Sequence, residues 1–403
     1  MMRPFKRLLS RESAMEIIRG NVRRVERVEK VRLEEAAGRV LAEDVVAGSN
    51  VPPFDRSSMD GYAVRAGDTH GASVFSPKRL RLIGVQHAGE LFEGEVGPGE
   101  CVQVATGSPI PRDSDAVVMV EYTRLDGDYV EVQKPEYPGS NISPEGEDIK
   151  DGEVVIEAGE TLTSGRIGVL AALGIESVEV HAKPDVAVIS TGSEVKPVGS
   201  GLEPSQIYDI NSHTLSTVIA GNGCVPHRHG IVPDERDALM AAVREAQGSD
   251  LIVFSGGSSV GSRDLLFDVV DEMGEVLFHG VQVKPGKPTL FGVVEGTPVF
   301  GMPGYPTSCL SNAHIFLAPA LRMLAGLPPR EPRQVKARMA TRVVSSSGRE
   351  QFLTVRVEEG LAYPVFKKSG AITSMANADG YIVIPVNADT IEEGEEVTVT
   401  LLG

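Results

Sequence analysis

The sequence predicts an α/β protein with added β modules. The expected parts are a central α/β domain with a mainly parallel sheet, a β-rich inserted module and a small C-terminal β-barrel. Three observations predict it. From about residue 182, short apolar runs alternate with helical patterns, which implies a mainly parallel sheet covered on both faces. Residues 51–142 and 335–403 instead carry alternating β-type runs, such as CVQVATG, AVVMVEY, FLTVRV and EVTVTLL, and no long helix. The chain has 403 residues, beyond one ordinary domain, and its 44 Gly and 26 Pro demand many turns.

Taken in order, residues 9–20 read as a short amphipathic helix with Ser10 or Ser13 as N-cap and Gly20 near its end. Around Ser143 the pattern turns polar, and a helix follows from Ser164 to Gly174. DVAVIS opens the α/β region as a strand. Asn211 then reads as the cap of a helix ending near Gly221, and Asp234, after Pro233, as the cap of another running to about Gln247. LIVFSG is a buried strand, followed by a helix from Asp264, strands near VLFHGVQV, TLFGVV and TPVFG, and a long helix from about Thr307. The prolines of GLPPREPRQ mark a linker before the barrel.

Composition removes several functional classes. Lys and Arg number 39 against 56 Asp and Glu, a net charge of −17, which argues against a nucleic-acid binder. An anionic ligand must then be held by local Lys, Arg and backbone N–H groups. Cys101, Cys224 and Cys309 are far apart and form no CxxC pair, so neither a zinc site nor a disulfide framework is expected, and a reduced cytoplasmic compartment fits. No signal peptide and no apolar run of membrane-spanning length is read.

The segment LIVFSGGSSVGSRD carries the strongest chemical signal. A strand, a glycine-rich loop and a helix start aim backbone N–H groups at an anion. Ser255, Gly256, Gly257, Ser258, Ser259 and Gly261 form that loop, and Asp264 closes it with a carboxylate suited to a hard cation. A plain strand–helix turn needs one glycine, not three. Lys284 and Lys287 in KPGKP sit on a loop stiffened by Pro285 and Pro288 and can neutralise an oxyanion. GMPGYPTS places Pro303, Gly304, Pro306, Thr307 and Ser308 before a helix, a second anion-ready N-terminus that the same residues could also merely cap. Glu194 and Asp264 are expected at adjacent strand ends, where two carboxylates can hold Mg²⁺. Asp209 is a weaker candidate leading into the Asn211 cap. Asp60, read alone, is a turn residue before Gly61. The histidines show no metal-ligand spacing beyond His227–His229, a pair more often found on a strand surface.

FDRSSMDGYAV (54–64), VATGSPIP (104–111), GEDI (146–149), STGSEV (190–195), FSGGSSVGSRD (254–264), VKPGKPTLFG (283–292) and GMPGYPTSC (301–309) occur in this order. Together they resemble the molybdopterin molybdenumtransferase family, MoeA-like proteins related to the E domain of gephyrin, over nearly the whole chain. Arg56 and Tyr305 depart from the family, which often has Asn at both positions.

The resemblance implies four domains. These are an elongated, discontinuous N-terminal helical/β region (1–50 and 143–181), the β-rich insertion (51–142), the molybdopterin-binding α/β domain (182–330) and the C-terminal barrel (331–403). It implies conversion of adenylylated molybdopterin and molybdate to molybdenum cofactor with release of AMP, tungstate being an alternative metal oxyanion. It implies Mg²⁺ held by Glu194 and Asp264, and a homodimer whose active site is shared between subunits. It lifts Asp60, Thr106 and Asp148 to active-site candidates beside Glu194, Asp234 and Asp264, and assigns Pro303 and Pro306 to the molybdate site. The alternatives are a molybdopterin adenylyltransferase, which matches the α/β domain alone, and a non-catalytic gephyrin-like scaffold. The adenylyltransferase of the same pathway is also the expected protein partner.

Overall fold

The computed structural model describes residues 8–256, 265–345, 348–367 and 370–402. Two compact units divide the chain. One comprises residues 31–37 and 43–178, the other residues 1–30, 38–42 and 179–403.

In the first unit, a six-stranded sheet is built from Ala116–Met119, Gly61–Val64, Glu100–Val104, Lys78–Gln86, Tyr129–Val132 and Thr123–Asp126, in that spatial order. All pairings are antiparallel except Lys78–Gln86 with Glu100–Val104. Side chains alternate across a strand. Tyr62 and Val64 therefore join Leu80, Cys101, Val118 and Val130 on one face, while Ala63 joins Val96, Val102, Val104 and Val117 on the other. Both faces are covered, so the sheet tolerates almost no polar residue in Gly61–Val64. The strands Arg56–Ser57 and Ile142–Ser143 pair nearby. Thr163 caps the helix Ser164–Ala172, its side chain accepting from the Arg166 N–H.

In the second unit, Ser10 caps the helix Arg11–Asn21, as its sequence predicts. The central sheet runs Val225–Val232, Asp185–Thr191, Leu251–Ser255, Thr297–Met302, Leu290–Val294, Glu275–His279. The first four strands pair in parallel, and Leu290–Val294 runs antiparallel to both of its neighbours. The antiparallel part has a local cause. Glu295 and Gly296 both hold positive φ, 50° and 87°, in a two-residue loop, and such turns close hairpins. Val186, Val188, Val253 and Phe300 pack under Leu215, Ile219, Phe316 and Leu321 on one face. Ala187, Ile189, Ile252 and Phe254 pack under Leu239, Val243, Leu266 and Val270 on the other.

Two expected caps are corrected. Asn211 does begin the helix Asn211–Ala220, yet the cap is made by Asp209, whose Oδ1 accepts from the Ser212 N–H at 3.0 Å. The next helix is Arg236–Glu245, preceded by Glu235 without a side-chain cap, so Asp234 lies outside it. A later helix starts with Pro306 in its first turn and runs through a π turn, Ala313–Leu317, to Leu324.

The C-terminal strands Glu350–Glu358, Leu361–Pro364, Gln334–Met339, Glu396–Leu401 and Gly380–Ile384 close on themselves, because the last pairs again with the first. Closure leaves no free sheet edge within this barrel. Val283–Lys284 adds to Glu350–Gln351 as a short parallel partner. Among the described residues no helix is long and apolar enough to cross a membrane.

Candidate functional site

Parallel sheets bind ligands beyond the carboxyl ends of their strands. Here a cleft of about 530 Å³ opens at those ends, lined by Ser190, Thr191, Glu194, Asp209, Asn211, Asp234, Ser255 and Gly256 and by Pro303, Gly304, Tyr305, Pro306 and Ser308. Tyr208 and Pro288 complete the wall. Nine of the candidate residues singled out in the sequence thus converge: Glu194, Asp209, Asp234, Ser255, Gly256, Pro303, Gly304, Pro306 and Ser308.

Gly256 holds φ at +100°, and a Cβ there would lie 2.7 Å from the Thr191 carbonyl oxygen. Only glycine fits this turn, and its N–H donates to the Met302 carbonyl at 3.1 Å. Gly257, Ser258, Ser259, Gly261 and Asp264 lie outside the described residues. The strands that carry Glu194 and the glycine loop are nonetheless adjacent and parallel, with Ser190 opposite Ser255.

Asp209 is buried, and both its oxygens are engaged, Oδ2 by the Ser190 hydroxyl at 2.8 Å and Oδ1 by the Ser212 N–H. Asn211 donates to the Gly304 carbonyl at 2.8 Å and ties the two walls together. Two buried oxygens in this cleft, Thr191 Oγ1 and Asn211 Oδ1, have no partner among the described residues. An unpaired buried polar atom costs about 1–3 kcal/mol, so these two mark where ligand polar atoms belong. Glu194 and Asp234 line the cleft with exposed side chains. Their oxygens are the donor type Mg²⁺ takes. No group of three close His, Cys, Asp or Glu side chains occurs among the described residues. Beneath the wall, burial pushes the Cys309 thiol up to about 12, against a smaller opposing effect of Ser255.

The KPGKP loop is held from below. Asn312 is fully buried, and its Nδ2 donates to the Gly286 carbonyl at 2.6 Å and to Thr289 Oγ1 at 2.5 Å. Gly286 lies flat against that amide at φ +103°, leaving no room for a Cβ. Lys284 leads from this loop into the barrel. Burial, and then the nearby Arg349, lower its pKa from the usual lysine value. Thr307 does not face the cleft; its hydroxyl donates to the Ala371 carbonyl at 2.9 Å. Sequence reasoning missed Arg349, Asn312, Ser190 and Thr191. Ser190 and Thr191 did lie in the STGSEV motif, and Asn312 left a trace as a polar residue inside an apolar helix.

In the other unit, Asp60 and Thr106 meet. Asp60 Oδ1 accepts from the Thr106 N–H at 2.7 Å and from its hydroxyl at 3.0 Å. These two bonds, the backbone one foremost, lower the Asp60 pKa although both side chains are exposed. Asp148 is exposed, with its N–H donating to the Val51 carbonyl at 3.0 Å.

Comparison with known proteins agrees with this geometry. Family models match three stretches: the MoeA N-terminal region (domain I and II) over 9–174, a "Probable molybdopterin binding domain" over 187–323, and the MoeA C-terminal region (domain IV) over 336–402. The molybdopterin molybdenumtransferase of Bacillus subtilis is 35% identical over 93% of this chain and 90% of its own length. That of Staphylococcus aureus is 32% identical over 92% and 90%. A crystal structure of the molybdopterin biosynthesis MoeA protein from Pyrococcus horikosii superposes with a TM-score of 0.84 at 42% identity, covering 98% of this chain and 99% of that one. Motifs, fold and relatives converge, and the chain belongs to the molybdopterin molybdenumtransferase (MoeA) family, transferases of molybdenum-cofactor biosynthesis.

Proposed function

We propose that this protein inserts molybdate into adenylylated molybdopterin, releasing AMP and leaving molybdenum cofactor. One observation carries the reading most. The cleft at the carboxyl ends of the parallel strands holds two unpartnered buried oxygens, Thr191 Oγ1 and Asn211 Oδ1. A hydroxyl that can donate suits a phosphate, and an amide carbonyl that can accept suits the N–H groups of a pterin.

In this reading Gly256 shapes the turn, and the glycine- and serine-rich segment that follows it, up to Asp264, supplies the phosphate contacts that its sequence suggests. Asp209, fixed by Ser190 and Ser212, keeps the strand end and helix start in register. Lys284, Lys287 and Arg349 hold molybdate, and Pro303 to Ser308 shape the wall beside it. Glu194 and Asp264, with Asp234, would hold Mg²⁺, which would supply positive charge to offset that of the phosphoanhydride. Asp60, Thr106 and Asp148 serve the site from the β-rich module. By family resemblance the enzyme is a cytoplasmic homodimer in which that module of one subunit meets the α/β domain of its partner. The adenylyltransferase of the same pathway supplies the substrate. The domains are 1–50 with 143–181, 51–142, 182–330 and 331–403.

The test is direct. Purified protein is incubated with adenylylated molybdopterin, molybdate and Mg²⁺, and AMP and cofactor are quantified. AMP release coupled to molybdenum incorporation is expected. Absence of both, with active product formed instead from ATP and free molybdopterin, would make the chain an adenylyltransferase. Replacing molybdate by tungstate in parallel reads the oxyanion preference.

A further inference from the structure

A second, more open cleft of about 1080 Å³ adjoins the first and shares Val195 and Asp209 with it. Three elements build it: the loop Gly192–Val198, the start of the helix Asn211–Ala220, and the edge strand Val225–Val232 of the central sheet. Its ionisable lining is almost wholly basic. Lys196, His213, His227 and Arg228 face it, and Asp209 is its one carboxylate among the described residues. Both oxygens of Asp209 are already engaged by Ser190 and Ser212. His227 is paired with Asp185 at 2.6 Å. Arg228 instead lies 3.0 and 3.1 Å from the two ring nitrogens of His213, a cation beside another basic group. Neither Arg228 nor Lys196 forms an ion pair with a carboxylate among the described residues.

This is unusual for the chain's charge. With 56 acidic residues against 39 Lys and Arg, carboxylates are abundant, yet this concave surface lacks a free one. Clefts lined by one sign of charge focus the field and concentrate ligands of the opposite sign. The cleft is also lined by Ser193, and its cations come from separate elements, the Gly192–Val198 loop and the edge strand.

We infer that this second cleft is a binding site for a small polyanion of the phosphate class, with Lys196 and Arg228 as its principal contacts. The phosphates come either from a free polyanion or from the distal end of a ligand seated in the first cleft, since the two clefts share Val195 and Asp209.

The experiment uses the full-length protein and inorganic pyrophosphate, titrated calorimetrically at low and moderate salt. Saturable binding is expected. The Lys196→Ala and Arg228→Ala variants should each weaken it on the order of ten-fold, the double variant should weaken it further, leaving only what the first cleft binds, and Arg228→Lys should retain part of it. Thermal melts check that the variants fold. If pyrophosphate binds the double variant as tightly as wild type, the anion sits elsewhere and the inference fails. If no saturable binding is found at low salt, the cations only guard a sheet edge against pairing, and the inference fails equally. The turnover assay then separates the sources. A raised KM for the pterin substrate in the double variant assigns the site to that substrate's phosphates. An unchanged KM with weakened pyrophosphate binding assigns it to a free polyanion.

Discussion

The cleft of the α/β domain and the Asp60–Thr106 pair of the β-rich unit use the same chemistry, a carboxylate with hydroxyl and backbone N–H donors, in opposite surroundings. Asp209 is buried, with each oxygen engaged from a different element. Asp60 is exposed, and both its donors come from one residue, Thr106. Burial lets the first pair organise its neighbourhood without a ligand, because a hydrogen bond shielded from water holds its geometry strongly. The second pair orders only itself. The comparison teaches that Asp209 serves the architecture of the cleft, whereas an exposed, pre-oriented Asp60 has no structural task large enough to explain it.

The largest effect should come from activity. Asp264→Asn keeps the size of a side chain closing the glycine loop but removes the charge a hard cation needs. AMP release should fall by orders of magnitude with the melting temperature little changed. Unaltered turnover at limiting Mg²⁺ would remove Asp264 from the site. Asp60→Ala and Asp264→Ala homodimers should each be inactive. After verified subunit exchange, mixed dimers should regain about half the wild-type activity, because one site collects both lesions and the other none. No recovery would mean each site is built within one chain.

Stability separates the two carboxylates as well. Asp209→Ala leaves the Ser190 hydroxyl and the Ser212 N–H unpaired in a buried place, and should cost about 1–3 kcal/mol in urea unfolding. Asp60→Ala should change stability by about 0.5 kcal/mol or less, since exposed sites away from packing rarely matter more. Equal costs at both positions would break the distinction drawn here.

A smaller effect concerns the oxyanion. Lys287→Ala should weaken molybdate binding on the order of ten-fold, the worth of one charge-assisted contact. Lys284 adds a pH signature. Burial, and then Arg349, disfavour its ammonium form, so its pKa lies below the lysine norm. Molybdate affinity should therefore fall as pH rises through that lowered pKa, at a lower pH than an ordinary lysine would give. Lys284→Arg should remove this fall, because arginine stays charged. An identical pH profile in both proteins would exclude Lys284 from the contact.

The smallest test reads the cysteines. Burial pushes the thiols of Cys101, Cys224 and Cys309 up to about 12. In the folded protein all three should resist iodoacetamide at pH 8, and all three should react once it is unfolded. The sign for stability follows. A raised folded pKa favours the native state fully below the unfolded thiol value near 8.5, and that contribution fades as pH rises towards 12. Fast native labelling would show that the sheet cores open locally.

Periodicity and turn chemistry made much of this molecule legible in one dimension. The run Leu251–Ser255, the cap Ser10, one of two serines expected there, and the helix expected from about Thr307 and found from Pro306 all depend on neighbours within a few residues. The motif loops, too, announced themselves through glycine and proline, whose backbone restrictions are local. What the sequence did not contain is which side chains meet. Whether Asp209 or Asn211 caps a helix, or whether Thr307 faces the cleft or Ala371, depends on strands and loops distant along the chain. Asn312 pins Gly286 across 26 residues of sequence, and Arg349 reaches the surroundings of Lys284 from the barrel. Local propensities decide what each segment becomes. Only packing decides which polar groups lose water together, and that shared burial builds the cleft.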